Sequence, residues 1–193
     1  MTNEEIQSAR AELKTILLDK SVIIGEEDQF TLASGAKSNF YVDCRLTTMD
    51  ARGAALVGLL GLRLFQESAT SAPAIGGLTM GADPVGLAIA IASANNPDGP
   101  RLDAYAIRKE AKDHGRGRQI EGNFPENGGP VVVVDDVITT GGSTLKAIDA
   151  IDAAGGKAVL CIVLVDRQEG GRQAIEARGV PVASIFTKAD LLG

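Results

Sequence analysis

Tryptophan is absent from the chain, histidine occurs once, cysteine occurs twice, and aromatic residues make up only 4% of the sequence. Cys44 and Cys161 are far apart in the chain and form no metal-binding or redox spacing, so we expect two free thiols in a reducing compartment. No apolar run reaches the length that a membrane span needs. The N-terminal sequence MTNEEIQSARAELK is acidic where a signal peptide would be basic and then apolar. These absences favour a cytoplasmic protein that does not bind a membrane.

The composition predicts an aliphatic core and an acidic surface. Hydrophobic residues make up 45% of the chain, and Ala, Val, Ile and Leu must supply the core because aromatics are scarce. A length of 193 residues suits one domain, which we take as residues 1–193. The formal net charge of −6 argues against nucleic acid or a membrane surface as a partner, because both carry negative charge.

Alternating apolar strands and helices in the second half of the chain predict an α/β fold. Ile6, Ala9, Leu13, Ile16 and Leu17 recur at helical spacing, so residues 4–19 are predicted to form an amphipathic helix. A strand-rich segment with a turn follows over 22–45. Further helices are predicted over 50–66, 84–93, 143–154 and 173–178, strands over 74–78, 102–107, 131–134, 158–165 and 182–186, and a loop over 108–122. This order predicts a central, mostly parallel sheet flanked by helices, with ligands at the carboxyl ends of its strands.

Residues 131–144, VVVVDDVITTGGST, carry the clearest chemical signal. Four valines predict a buried strand, and Asp135 and Asp136 follow where we expect that strand to end. The glycines allow a tight turn that exposes N–H groups, and the following helix adds partial positive charge, so the turn predicts a phosphate site. Two carboxylates would repel a phosphate but suit the hydroxyls of a sugar. The predicted ribose 5-phosphate site consists of Asp135, Asp136, Val137, Ile138, Thr139, Thr140, Gly141, Gly142 and Ser143.

The same segment resembles the phosphoribosyl diphosphate signature of type I phosphoribosyltransferases. The chain contains neither G-x-x-x-x-G-K-[ST] nor G-x-G-x-x-G, which excludes the two common nucleotide-binding loops. The resemblance implies the fold of that family, with a small N-terminal hood over residues 1–48 and a core over residues 49–193. The signature is shared by enzymes that act on different bases and by some transcriptional regulators, so the base must be inferred from other segments.

A second segment, RKEAKDHG at 108–115, resembles the mobile loop of orotate phosphoribosyltransferases. Four side chains that can be cationic, Arg108, Lys109, Lys112 and His114, lie close together in an acidic chain. On their own they indicate either a solvated charged loop or a glycine-bearing lid over a polyanion. The resemblance implies that all four bind phosphoribosyl diphosphate and that Lys112 and His114 are catalytic. It also implies a homodimer in which loop 108–122 completes the neighbour's site.

Two further segments resemble the orotate pocket of the same family. FTLASGAKSNFYVDCR at 30–45 matches the family's F-x-L-x-S-G-x-x-S segment, which assigns Tyr41 to the base, although a Phe–Tyr pair is more often core. LVDRQE at 164–169 places Arg167 where a strand is expected to end, and a guanidinium suits orotate's carboxylate, although a surface ion pair is the alternative. The resemblance assigns Arg167 and Thr139 to orotate. Ala33 and the stretch 77–82 lack lysines that many members carry, so we expect backbone N–H groups to bind diphosphate at 77–82.

Together these resemblances imply an orotate phosphoribosyltransferase, a pentosyltransferase of pyrimidine (UMP) biosynthesis. Such an enzyme transfers 5-phosphoribosyl from phosphoribosyl diphosphate to orotate, with Mg²⁺ as cofactor, and we assign no residue as a direct metal ligand. Two alternatives stay open: a paralogue that acts on another base, and a non-catalytic regulator that senses phosphoribosyl diphosphate. The regulator would need a surface for nucleic acid, which the net charge of −6 disfavours.

Overall fold

Ten strands and seven helices occur in the part of the chain that the computed structural model describes, residues 2–26, 30–31, 37–110 and 119–193. The strands are β1 (Val22–Ile24), β2 (Phe30–Thr31), β3 (Lys37–Ser38), β4 (Phe40–Val42), β5 (Ala74–Leu78), β6 (Asp103–Ile107), β7 (Ile120–Gly122), β8 (Gly129–Ile138), β9 (Gly156–Asp166) and β10 (Val182–Thr187). The helices are α1 (Asn3–Lys20), α2 (Arg45–Thr48), α3 (Ala51–Glu67), α4 (Ala82–Ala94), α5 (Gly142–Ala153), α6 (Gly171–Glu176) and α7 (Lys188–Leu192).

Six of these strands form the central sheet, in the order β10-β9-β8-β5-β6-β7. Neighbouring strands are parallel except β6 and β7, which are antiparallel, so the predicted mostly parallel sheet is confirmed. The prediction of a loop over 108–122 is wrong at its C-terminal end, because β7 begins at Ile120. Ile120 pairs with Ile107 and packs on a buried cluster, so this one apolar side chain holds the returning segment on the sheet edge.

The helices cover both faces of the sheet, and the alternation of the strands divides the side chains between the faces. Val132 and Val134 belong to the buried cluster on the side of α1, α3 and α4, whereas Val131 and Val133 belong to the cluster on the side of α5 and α6. Successive side chains of a strand point to opposite faces, which explains why four consecutive valines are all buried. Each buried valine contributes about 1.5–3 kcal/mol, so this strand anchors the segment that follows it.

Strand β8 is longer than predicted, and its length changes the placement of the two aspartates. Asp135 pairs with Val163 of β9, and Ile138 pairs with Asp166. Asp135 and Asp136 therefore lie inside the strand, and the expectation that they follow its end was wrong. Hydrogen bonds to β9 continue through the polar residues, so the four valines alone did not mark the end of the strand. The pleat sends the two carboxylates to opposite faces of the sheet.

Local sequence sets several helix ends. Thr2 and Glu5 form a capping box at the start of α1, and the Asp50 carboxylate accepts hydrogen bonds from two backbone N–H groups at the start of α3. Gly155 follows α5 with a φ of 77°, as predicted for the Gly-Gly pair at this position. Helices α2 and α7 were not predicted, because they are too short to show a helical period. Within the described ranges, no helix combines the length and the apolar character needed to cross a membrane.

The N-terminal segment forms two small antiparallel sheets, β1 with β4 and β2 with β3. In β4 the side chains of Phe40 and Val42 are buried, whereas Tyr41 between them is 39% exposed. Leu13 and Leu17 of α1 belong to the same buried cluster as the side chains of α3 and α4. The N-terminal helix is thus packed directly on the helices that cover the sheet.

Candidate active site

The candidate site lies where the strand order of the sheet reverses, between β5 and β8. In open parallel sheets the loops after two such strands diverge and leave a crevice for ligands. Here the turn after β5 comes close to β8, because a Cβ added at Gly81 would lie 2.5 Å from Oδ1 of Asp136. Only glycine fits at this position without a shift. The Asp136 carboxylate therefore faces the turn after β5, the segment in which backbone N–H groups are expected to bind diphosphate.

The turn between β8 and α5 has the geometry of an anion cradle. Gly141 precedes the first residue of α5 and has a φ of 83°, the left-handed conformation that glycine adopts without strain. No side chain caps the N-terminus of α5. The first N–H groups of a helix have no partner within the helix, and the helix dipole makes them favourable for a phosphate. Thr140, Gly142 and Ser143 are exposed, so a ligand can reach this end of the helix.

The cradle is held in place by the start of α6. The backbone N–H of Gly171 donates a hydrogen bond to the Thr139 carbonyl at 2.8 Å. A Cβ at Gly171 would lie 2.8 Å from the backbone nitrogen of Gly141, so the two glycine-bearing turns approach closely. This close packing explains why position 171 requires glycine, although Gly171 itself has no chemical role in the site. It also joins the cradle to the segment after β9, which carries Arg167.

Asp135 holds the first turn of α5 and does not face the crevice. Its Oδ2 accepts hydrogen bonds from the Ser143 hydroxyl at 2.7 Å and the Thr144 hydroxyl at 2.9 Å, and its side chain is buried. Burial raises the pKa of the Asp135 carboxyl, and the two hydroxyl donors lower it in part. The structure therefore does not place Asp135 where a sugar diol was expected. Because the Ser143 hydroxyl donates its proton to Asp135, the backbone N–H is the group of Ser143 that can donate a hydrogen bond to an anion.

Asp136 is the carboxylate that faces the crevice. Its Oδ1 accepts a hydrogen bond from the Val137 backbone N–H at 2.9 Å. Burial, and then the charge of neighbouring Asp135, raise the pKa of Asp136 to about 7. A carboxylate in this state is stabilised by a hydrogen-bond donor or a cation. The Ile138 side chain is buried and Val137 is partly buried against the core, so we expect their backbone groups to be their main contacts with a ligand.

Arg167 lies beside the cradle and is 4% exposed. Its backbone N–H donates to the Ile138 carbonyl at 3.0 Å, which fixes it next to the end of β8. Its guanidinium Nη2 donates to the Phe40 carbonyl at 3.0 Å and lies 2.9 Å from Oε1 of Glu169. The guanidinium carbon is 5.4 Å from the centre of the Phe40 ring. The expectation that Arg167 reaches the carboxyl edge of the sheet is met, and the guanidinium bridges that edge to β4.

Tyr41 does not stand beside Arg167. Its ring is on the opposite side of β4 from Phe40 and lies 5.5 Å from the Phe30 ring. The structure instead brings Phe40 to the guanidinium, both through its carbonyl and through its ring. A role for Tyr41 in base binding stays a prediction. Residues of β4 alternate between buried and exposed, and this alternation distinguishes the Phe40 ring from the Tyr41 ring. The strand has only three residues, so the alternation could not be recognised in the sequence.

The base of loop 108–122 is an ordered end of the β6–β7 hairpin. The backbone N–H of Arg108 donates to the Gln119 carbonyl at 2.9 Å, and Gln119 Nε2 donates back to the Arg108 carbonyl at 3.1 Å. Lys109 lines a cavity of about 680 Å³ together with Ser143 and Lys146. The sequence analysis missed Lys146, although it stands three residues after Ser143 and hence on the same side of α5. Lys112 and His114 lie outside the described residues.

The fold and the site together define a phosphoribosyltransferase. The family model for the phosphoribosyl transferase domain matches residues 71–185, which include the crevice, the cradle and Arg167. The chain is 43% identical over 190 residues to the orotate phosphoribosyltransferase of Thermosynechococcus vestitus, covering 98% of this chain and 96% of that protein. The chain belongs to the orotate phosphoribosyltransferase family, which confirms the predicted family and fold class.

Solved structures agree with this assignment. The chain is similar to a phosphoribosyltransferase from Corynebacterium diphtheriae, with a TM-score of 0.79 and 35% identity, covering 96% of this chain and 99% of that chain. It is also similar to the orotate phosphoribosyltransferase of Mycobacterium tuberculosis H37Rv in complex with 5-phospho-alpha-D-ribosyl 1-diphosphate, with a TM-score of 0.74 and 36% identity. That match covers 96% of this chain and 99% of that chain.

Proposed function

We propose that the chain transfers the 5-phosphoribosyl group from phosphoribosyl diphosphate to orotate, forming orotidine 5′-phosphate and diphosphate in pyrimidine biosynthesis. The observation that carries the proposal is the adjacency of an anion cradle and a buried arginine at one edge of the sheet. The Arg167 N–H bonded to the Ile138 carbonyl at 3.0 Å joins the two directly. A phosphorylated sugar in the cradle and a base carrying a carboxylate beside Arg167 would be held as neighbours.

Each part of the site has a separate binding task in this proposal. The backbone N–H groups of residues 140–143 bind the 5′-phosphate, and Asp136 accepts hydrogen bonds from the ribose hydroxyls. Arg167 and Thr139 bind orotate, with the planar guanidinium paired to the carboxylate. Asp135 acts indirectly, because its carboxylate orients the first turn of α5 through Ser143 and Thr144.

The reaction needs no enzyme nucleophile. The ring nitrogen of orotate attacks C1 of the ribose as diphosphate leaves, through a loose transition state with oxocarbenium character like that of glycoside cleavage. Catalysis then consists of holding the two reactants in line and neutralising the charge that develops on diphosphate. We assign the second task to Arg108, Lys109, Lys112 and His114, with Lys112 and His114 as the catalytic pair. Lys146 extends this cationic rim along α5.

Mg²⁺ fits the chemistry of this edge. Asp136 offers hard oxygen atoms of the kind that Mg²⁺ prefers, and its raised pKa means that a nearby cation would stabilise its charged form. Within the described ranges no group of three or more His, Cys, Asp or Glu side chains could hold a metal. Asp136 would help to hold the ion at this edge, together with oxygen atoms of the bound diphosphate. When bound, the ion supplies positive charge to the leaving diphosphate.

A homodimer is the assembly that this proposal requires, with loop 108–122 completing the site of the neighbour. Support comes from large apolar side chains that are more than half exposed on α2 and the residue after it, on the turn after β5 and on α4: Leu46, Met49, Met80, Leu87 and Ile91. Leu46, Met49 and Met80 line one shallow groove. A cluster of exposed apolar side chains is typical of a protein interface, and a second copy is the occupant that brings its loop to this site.

The same proposal includes the organisation of the chain and its compartment. Residues 1–48 would form a hood over the base pocket and residues 49–193 the catalytic core of a single domain. The hydrogen bond from Arg167 to the Phe40 carbonyl supports this division, because it ties the N-terminal segment to the site. A cytoplasmic location stays a prediction, and it is supported by Cys44 and Cys161, which are both buried free thiols of the kind found in reducing compartments.

The direct test of the activity is a spectrophotometric assay that follows orotate loss in the presence of phosphoribosyl diphosphate and Mg²⁺. Uracil, adenine and hypoxanthine serve as control bases. We expect turnover with orotate and none with the three control bases. Turnover with a control base and none with orotate would identify a paralogue for another base, and no turnover with any base would favour the regulator.

The role of the loop can be tested with one variant and a matched control. Lys112→Ala should bind both substrates yet lose about two orders of magnitude in kcat, the scale of a lost electrostatic stabiliser. Lys157→Ala is the matched control, because Lys157 is an exposed lysine at the other end of β9. Turnover of Lys112→Ala within a few-fold of wild type would contradict the assignment.

Mixing the Lys112→Ala variant with an Asp136→Asn variant tests whether the loop acts in the neighbouring site. If it does, a mixed dimer carries one complete site, and random exchange of subunits should restore about a quarter of wild-type activity. If the loop acts within its own subunit, the mixture should show only the activity of the two separate variants.

A further inference from the structure

We propose that Glu169 occupies Arg167 while the base pocket is empty and is exchanged for the carboxylate of the incoming base, so that Glu169 lowers the affinity of the site for a carboxylated base. The inference rests on the proposed function, since it requires that Arg167 is the group that receives orotate. It adds a residue that tunes the affinity for the base through Arg167 and does not itself touch the substrate.

The ion pair between these residues is asymmetric. Oε1 of Glu169 lies 2.9 Å from Nη2 of Arg167, and the side chains are 26% and 4% exposed, respectively. The cation is therefore fixed inside the protein, whereas the carboxylate sits at the edge of water. The same Nη2 donates to the Phe40 carbonyl, and the guanidinium lies over the Phe40 ring, so the arginine is held from the N-terminal side as well. Of the two partners, Glu169 is the one that can move.

The backbone around Glu169 is fixed by a buried carboxylate. Asp166 is 2% exposed, and it accepts hydrogen bonds from the Gln168 N–H at 2.8 Å and from Arg172 Nε at 2.8 Å. Gln168 has a φ of 59°, a conformation that non-glycine residues rarely adopt and that this hydrogen bond supports. Exchange of Glu169 therefore needs only rotation of its own side chain, without movement of the turn that positions Arg167.

Electrostatics favour replacement of Glu169 by the carboxylate of orotate over simultaneous binding of both carboxylates to Arg167. A buried guanidinium without a counter-charge is costly, so Glu169 stabilises Arg167 in the base-free enzyme. Two carboxylates at one guanidinium would repel each other, and the partly exposed Glu169 can turn into water when orotate arrives. A neutral base has no carboxylate and gains nothing by displacing Glu169. Glu169 therefore lowers the affinity of the site for orotate and leaves its affinity for a neutral base unchanged.

The test is equilibrium binding by titration calorimetry with orotate and with uracil, on the full-length wild type, Glu169→Gln and a matched control. The control is Glu67→Gln, because Glu67 pairs with Arg63 on the outer surface of α3 and carries the same charge. For Glu169→Gln we expect orotate to bind about tenfold more tightly, the scale of a charge pair at an interface, while uracil binding is unchanged. The KM for orotate should fall with kcat unchanged, and Glu67→Gln should behave as wild type.

A second variant separates exchange from a structural role. Glu169→Asp keeps the charge but is too short to reach Arg167 from the fixed backbone, so it should also tighten orotate binding, by less than the glutamine variant. Weaker orotate binding in both variants, with a fall in kcat, would overturn the inference, because Glu169 would then be needed to hold Arg167 in place. If the wild type itself does not bind orotate, the proposed function fails and not only the role of Glu169.

Discussion

Replacing Asp136 by asparagine should stabilise the protein at alkaline pH, and the structure gives the size of the effect. Burial and the neighbouring charge of Asp135 raise the pKa of Asp136 from 3.8 to about 7. A rise of this size is equivalent to about 4 kcal/mol of folding free energy that is lost when the carboxyl ionises in the folded state. Asp136 is partly exposed, and part of the rise in its pKa comes from the charge of Asp135 and not from burial, so we expect about 1–3 kcal/mol.

The sign of the pH dependence follows from the raised pKa. The folded protein holds the Asp136 proton between about pH 4 and pH 7 and the unfolded chain does not, so stability falls as pH rises through this range. Above pH 7 the cost is complete and constant. Asp136→Asn should therefore gain its full advantage over wild type at pH 8 and lose it near pH 4.

Urea denaturation at pH 4, 6 and 8 measures the difference, with equal m-values as the check that the same transition is followed. Asp98→Asn is the control, because Asp98 lies on the exposed turn after α4. An Asp136→Asn variant that is less stable than wild type at pH 8, or a difference that does not change with pH, would refute the reasoning.

Two further predictions concern the turns that position the site. Gly141→Ala should destabilise the protein by about 1–2 kcal/mol, because the residue has a φ of 83°. The control is Gly142→Ala, which has open space for its Cβ and should keep wild-type stability. Equal urea midpoints for the two variants would contradict this prediction. Asp166→Asn should cost about 2–4 kcal/mol and raise the KM for orotate, because the buried carboxylate is paired with Arg172 at 2.8 Å. The control is Asp149→Asn, because Asp149 pairs with Arg178 on the surface. This variant should have the same urea midpoint as the wild type.

The order of strands and helices could be predicted from the sequence because each buried element carries a long periodic or continuous apolar run. The four valines of β8 and the apolar run of β9 identify the centre of the sheet without further information. The end of β8 could not be predicted, because Asp135 and Asp136 continue the hydrogen-bond ladder to β9 even though their side chains are polar. Backbone pairing is decided by the neighbouring strand, which the local sequence does not report.

The site could be located from the sequence but its internal contacts could not. The Thr-Thr-Gly-Gly-Ser-Thr turn and the position of Arg167 after an apolar strand were sufficient to predict that these two segments lie at one edge of the sheet. The pairing of Asp135 with Ser143, and of Arg167 with Glu169 and the Phe40 carbonyl, depends on side-chain rotamers and on segments distant in the chain. The sequence therefore predicted which groups are present, and the structure shows which of them are already engaged with one another.

The most direct test of the account is a crystal structure of the chain with bound phosphoribosyl diphosphate. We expect the 5′-phosphate at the N-terminus of α5, with its oxygens about 2.7–3.2 Å from the backbone nitrogens of residues 140–143, and the ribose hydroxyls facing Asp136. A phosphate bound away from this turn, with the hydroxyls turned away from Asp136, would contradict the central claim.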